Sequence, residues 1–116
     1  MSANDTTTTL FKMLTNAARL AILDILRNGE QCVCHLEAQL GYRQAYISQQ
    51  LSLLRNAGLI KDRRDGWNIF YRVVKPQVYT VVDAARALTQ ESPFTSRNAA
   101  TCVCPKCSPL VEPLTS

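Results

Sequence analysis

Apolar residues recur along this chain with two periods, and the switch between them outlines the architecture. Ala18, Ala21, Ile22, Ile25 and Leu26 follow helical spacing, with Asn16 placed to cap the start and Gly29 to stop the run. Leu10, Phe11, Met13 and Leu14 form a shorter apolar cluster before it, read as a first helix behind a polar, frayed opening from Ser2 to Thr9. Leu36 and Leu40 predict a short third helix ending at Gly41, and Ile47, Leu51 and Leu54 a fourth over residues 43–57, closed by Gly58. From Leu59 the period changes to two. Asp65-Gly66 marks a hairpin turn between strands over residues 60–64 and 67–73. In the second strand Trp67, Ile69, Tyr71 and Val73 alternate with Asn68, Phe70 and Arg72, so Phe70 is the one apolar residue on the polar side. Pro76 suits the first turn of a last helix whose stripe is Val78, Val81, Val82, Ala85 and Leu88.

This order is mainly α with one β-hairpin. Two short helices joined at Gly41, the second rich in exposed polar residues, suit a helix-turn-helix, and the hairpin behind them would be its wing. At 116 residues the chain is expected to hold one domain. The expected division is a flexible N-terminus over 1–9, a winged-helix domain over 10–91, and a tail over 92–116 carrying four of the five prolines. A composition 47% hydrophobic and 19% charged excludes a disordered chain. No apolar run approaches the roughly 18 residues of a membrane span, and no basic-then-apolar leader is visible. The expectation is therefore a cytoplasmic protein with no membrane partner.

Charge sharpens the picture once it is divided along the chain. Residues 41–75 carry seven basic side chains against two acidic ones, while the segments on either side are close to neutral. Such a patch favours phosphates by long-range attraction and counterion release. On the fourth helix, Ile47, Leu51 and Leu54 face inward, which leaves Arg43, Gln44, Tyr46, Ser48 and Gln49 toward solvent. These types read base edges and phosphates, and the N-terminal end of a recognition helix is where such contacts concentrate. Lys61, Arg63 and Arg64 precede the hairpin turn and are placed to meet a flanking groove or backbone. The candidate DNA-binding set is these eight residues, and the partner is double-stranded operator DNA.

Several blocks then resemble one family. Residues 16–23 (Asn-Ala-Ala-Arg-Leu-Ala-Ile-Leu), the Ile47-Ser48-Gln49-Gln50-Leu51 run with Ala57-Gly58-Leu59-Ile60, and the strand from Gly66 to Val73 resemble the ArsR/SmtB winged-helix metal-responsive repressors. The resemblance implies a homodimer paired through the first and last helices, which the broad apolar faces on residues 10–14 and 78–88 suit.

Five cysteines remain, an odd number and too sparse for a disulfide scaffold. They divide into Cys32-Val33-Cys34 and a tail triplet, Cys102, Cys104 and Cys107. Residues two apart on a regular helix point about 200° away from each other, so Cys32 and Cys34 reach one ion only if the helix start is irregular. No core explains three cysteines within six residues of a proline-bearing tail. Three thiolates suit trivalent arsenic, antimony or lead; four suit cadmium or zinc. His35 is the only imidazole, so soft thiophilic ions are favoured, As(III), Cd(II) or Pb(II), with Zn(II) admitted.

The family resemblance makes Cys-Val-Cys the hallmark of a heavy-metal site here. Glu37 stands where many arsenic sensors carry a third cysteine, and the N-terminus lacks the cysteines of cadmium/lead sensors, which leaves the tail triplet as replacement donors. The family's other zinc site, on the last helix, is not expected, because Asp83-Ala84-Ala85 has no histidine nearby. The reading is a repressor released from its operator when Cys32, Cys34 and the tail thiols coordinate such an ion. The alternative is a thiol-redox or persulfide trigger on the same fold. An enzyme is not expected, for the chain has no nucleophile motif, no triad around His35 and no phosphate loop.

Overall fold

The Asn16 carboxamide fixes the first junction of the fold. Its oxygen accepts the Arg19 backbone N–H at 3.1 Å, capping α2 (Ala17–Leu26) where the chain leaves α1 (Ala3–Met13). Arg19 then reaches back: its Nε donates to the Met13 carbonyl at 2.7 Å and a terminal nitrogen to Lys12 O at 3.3 Å, closing the carbonyl end of α1. The computed structural model describes residues 3–93, and Cys102, Cys104 and Cys107 lie outside them. Helix α1 differs from the expected cluster at residues 10–14, since it begins at Ala3 and includes the polar run Thr6–Thr9.

A two-residue strand, β1 (Gln31–Cys32), follows α2, and α3 (Val33–Leu40) starts directly behind it. Gly41 ends α3 with φ of 78°, a left-handed turn suited to glycine. Helix α4 (Gln44–Asn56) then runs to the hairpin of β2 (Ile60–Asp65) and β3 (Asn68–Val73), and α5 (Gln77–Thr89) closes the described chain. The sheet order is β1-β3-β2, antiparallel throughout. Strand β1 went unforeseen because two residues carry no periodicity; its existence depends on pairing with β3.

The core lies where α2, α3, α4 and the sheet meet. Ile22, Leu23, Leu36, Ile47, Leu51, Leu54 and Ile60 are each at most 1% exposed. Leu36 is the one buried residue of α3, so a single side chain seats that helix on the core. The hairpin is offset by one residue from its expected place. Gly66 and Trp67 form a two-residue loop, with positive φ (65°) at Gly66 only, as a II′-type turn requires. Trp67 therefore leaves the core-facing alternation and stands 96% exposed.

Helix α5 is held by charge as much as by its apolar stripe. Val78 and Val82 are buried, while Ala85 and Leu88 are exposed. Arg86 makes two bonds to the buried Asp24 carboxylate, at 2.8 and 2.7 Å, and Arg27 makes two to Asp83, both at 2.9 Å. Arg27 also lies 4.3 Å above the Tyr79 ring, whose hydroxyl donates to the Leu23 carbonyl. Burial pushes the Tyr79 phenol up to about 12. Because the folded value is raised, this group stabilises the fold fully below pH 10 and loses that contribution as pH rises toward 12. In an alkaline absorbance titration Tyr79 is expected to ionise after Tyr71, whose phenol burial also raises, and Tyr79→Phe should remove that last step. A Tyr79→Phe protein that keeps the same late step would contradict this placement.

Candidate thiol site and nucleic-acid interface

Cys32 belongs to β1 and is also the N-cap of α3, with extended backbone (φ −86°, ψ 163°). That is the irregular helix start on which convergence of the two thiols depends. From the extended Cys32 and the helical Cys34 the sulfurs meet, with Sγ atoms 2.8 Å apart. Cys32 is 1% exposed and Cys34 half-buried, and both are thiols in the structure. Their neighbour explains the apolar exception in the hairpin pattern: Phe70 pairs with Cys32 across β1 and β3 and packs against both cysteines. Among the described residues no cluster of three or more His, Cys, Asp or Glu could hold a metal ion, so this pair supplies two soft donors and no more. His35, beside them, is held below its ordinary 6.5 by burial, which favours the neutral imidazole.

The thiol pair is wired into the wing. Phe70 also faces Arg63 across β3 and β2, and the Arg63 guanidinium lies 4.8 Å over the Phe70 ring. The same guanidinium grips Glu30, with Nε at 3.0 and 2.9 Å from its two carboxylate oxygens and a terminal nitrogen at 2.7 Å. Glu30 directly precedes β1. The circuit Glu30, Cys32, Phe70, Arg63 thus closes on itself and joins the cysteines to the hairpin. Arg63, expected at the DNA face, is occupied by Glu30 and, more distantly, by Asp65 at 3.7 Å.

On α4 the structure spreads the expected readers unevenly. Arg43, as N-cap, and Gln44 and Gln49 are exposed, whereas Tyr46 and Ser48 are half-buried. Tyr46 is held in place: Asn16 Nδ2 donates to its hydroxyl at 3.4 Å and its ring contacts Tyr42 at 5.2 Å. The adjacent Gln50 is buried and accepts from Arg19 at 2.7 Å, which fixes α4 to the α1–α2 junction. Lys61 and Arg64 are exposed and form no ion pair among the described residues. Sequence reasoning passed over Arg72. It is exposed and directly opposite Lys61 in the register, and two like charges so placed repel until an anion joins them. The trace in the sequence was Arg72 itself, on the polar side of the alternation.

Comparison with known proteins agrees with this architecture. Residues 16–62, from the α2 cap into the hairpin, match the model of the bacterial regulatory protein arsR family. The biofilm growth-associated repressor of Agrobacterium fabrum is 40% identical over 79 residues, 68% of this chain and 68% of that protein. The arsenical resistance operon repressor of Escherichia coli is 38% identical over 86 residues, covering 71% of this chain and 74% of its own. Among solved structures, a homodimeric winged helix-turn-helix DNA-binding domain from Mycobacterium bovis superposes with a TM-score of 0.66 at 30% identity, covering 75% of this chain and 81% of that one. No helix among the described residues is long and apolar enough to cross a membrane. With its capped α2, its α3–α4 helix-turn-helix and its hairpin wing, the chain belongs to the ArsR/SmtB family and is a DNA-binding transcriptional repressor, not an enzyme.

Proposed function

We propose that this repressor binds a two-fold operator as a homodimer and lets go when Cys32 and Cys34 take up a soft thiophilic ion, As(III), Cd(II) or Pb(II), with Zn(II) as a further candidate. The observation that carries this reading is the meeting of the two sulfurs, 2.8 Å apart, on the cap of the helix that leads into α4. Cys32 and Cys34 would hold the ion, and the ion supplies the positive charge that keeps both sulfurs as thiolates. Cys102, Cys104 and Cys107 are proposed as the remaining donors.

Cys32 and its neighbours do the rest. Any movement of Cys32 Sγ toward a ligand disturbs its packing on Phe70 and the β1–β3 pairing, and with them the grip of Arg63 on Glu30. The wing and the α3–α4 unit then shift together. Such a coupling is commonly about 1–3 kcal/mol, enough to change operator affinity roughly 5- to 150-fold. Dimerisation is proposed through α1 and α5, whose Phe11 (53% exposed) and Leu88 (87%) find no cover among the described residues. The homodimeric state of the Mycobacterium bovis neighbour supports a dimer here. Arg43, Gln44 and Gln49, with Tyr46 and Ser48 behind them, are assigned to base and phosphate contacts, and Lys61, Arg64 and Arg72 to phosphates.

The close approach of the sulfurs also favours a second reading, a redox trigger. Cys32 and Cys34 thiols would give two electrons and two protons to an oxidant of the peroxide or polysulfide class, forming a disulfide with each other or with a tail cysteine. Thiolate-to-metal absorption separates the readings and tests the tail. Reduced protein titrated with cadmium or arsenite is expected to saturate at one ion per site. Cys102→Ser/Cys104→Ser/Cys107→Ser should bind more weakly with fewer sulfur ligands. Unchanged stoichiometry and affinity would remove the tail from the site, and absence of any thiolate band would remove the ion.

A further inference from the structure

The family and the proposed function account for the cations of the hairpin but not for its tip. Trp67 is the only tryptophan of the chain, the second residue of the Gly66-Trp67 loop, and 96% exposed. Two-residue hairpin loops ordinarily hold small polar residues, because nothing covers a side chain there. The chain's own core offers no cover: Trp67 lies beyond the last strand pair, Asp65 with Asn68, and belongs to no buried cluster. The five residue steps of β3 from Asn68 to Val73 span about 17 Å, and Trp67 lies beyond their far end.

The charge around the hairpin says what approaches. Lys61, Arg64 and Arg72 are exposed, and none is taken up in an ion pair among the described residues. A polyanion is therefore drawn toward the tip. The hairpin also starts within four residues of the end of α4, so a duplex read by α4 passes along it. A reach of about 17 Å exceeds the roughly 12 Å width of the major groove, enough to cross one backbone to the minor groove beyond. That groove is about 6 Å wide and admits a flat apolar side chain presented edge-on.

We propose that Trp67 is the wing's DNA anchor, an apolar wedge that seats its indole in the minor groove flanking the segment read by α4. This rests on the operator-binding reading above and adds to it a contact that is not ionic. Its energy comes from desolvating the indole against sugars and base edges, so it barely depends on salt, unlike the contacts of Lys61, Arg64 and Arg72. Full exposure in the free protein means that Trp67 contributes nothing to folding, and its replacement isolates the DNA contact.

The sole tryptophan makes the test direct. The probe is a labelled duplex recovered by the reduced wild-type protein from a random-sequence pool, with anisotropy reading binding and intrinsic emission reading Trp67. Wild-type emission is expected to be that of a solvated indole when free, and to shift to the blue and lose intensity as the duplex saturates. Trp67→Ala should bind about tenfold more weakly or worse, with Trp67→Phe in between and the same melting temperature for all three. The slope of affinity against salt should stay unchanged in Trp67→Ala and flatten in Lys61→Ala. Wild-type binding with unaltered emission, or Trp67→Ala binding as wild type, would overturn the anchor and leave the repressor reading standing. A blue-shifted free protein whose emission depends on protein concentration would overturn it in favour of a second copy. Failure of the wild type to bind any recovered duplex would contradict the anchor and the operator reading together.

Discussion

Replacing Arg86 with methionine is expected to lower the unfolding free energy by about 3 kcal/mol, the typical cost of breaking a buried ion pair and leaving one charge behind. Asp24 has a side chain only 2% exposed, and Arg86 makes two short bonds to it. Arg27 also reaches it, at 3.3 Å, while committed to Asp83 and the Tyr79 ring. It cannot take over the bidentate role without giving those up. Methionine preserves much of the volume, so the loss reports the charge and not a cavity. Urea denaturation of the wild type, Arg86→Met, Asp24→Asn and the double variant forms the cycle that checks this. A double variant nearly as stable as the better single one is expected, because each single change strands the other partner. Strict additivity would mean that the pair is not coupled. Arg86→Met should also weaken the proposed dimer, since Arg86 fixes the helix that carries Leu88 outward.

No sequence pattern announced that pair, because Asp24 and Arg86 are 62 residues apart and each looks like an ordinary surface charge on its own helix. What could be read was whatever repeats or punctuates. Helices α2 to α5 followed from their apolar period with Asn16, Gly41 and Pro76 at the borders. Helix α1 extends beyond what its apolar cluster predicts, for Thr6–Thr9 are poor helix formers that give no sign of it. Arg19, closing its far end, cannot be seen from local propensity. The Asp65-Gly66 signal points to the hairpin but one residue early, and that offset is enough to move Trp67 from the sheet to the tip. Both cysteines were legible as a pair, and their convergence was tied correctly to an irregular helix start. The reason for that irregularity, a two-residue strand pairing with Phe70, lay in the tertiary structure. Phe70 on the polar side of its strand was its one visible sign. Arg63 shows the opposite limit: its charge was legible, but its engagement with Glu30 was not.

The second large effect concerns the thiols. Cys32→Ala/Cys34→Ala is expected to fold, to bind the operator as the wild type does, and to lose its response to thiophilic ions entirely. Alanine is the better replacement than serine because Cys32 is 1% exposed beside Phe70, where a hydroxyl would be buried without an assured partner. The Arg63–Glu30 pair involves neither cysteine, and alanine places no ligand against Phe70, so the wing is expected to keep its resting position. Ion binding and operator release are thereby separated: the variant keeps the proposed reading surface of Arg43, Gln44, Gln49, Lys61, Arg64 and Arg72 and lacks only the two sulfurs.

Operator affinity of the reduced protein, measured by anisotropy with and without saturating arsenite or cadmium, in the wild type and in Cys32→Ala/Cys34→Ala, decides the matter. The wild type is predicted to lose affinity by roughly 5- to 150-fold when the ion is added, and the double variant to lose none. Release of the operator by the double variant, or a wild type that binds either ion and holds its operator undiminished, would contradict the assignment of Cys32 and Cys34 as the trigger.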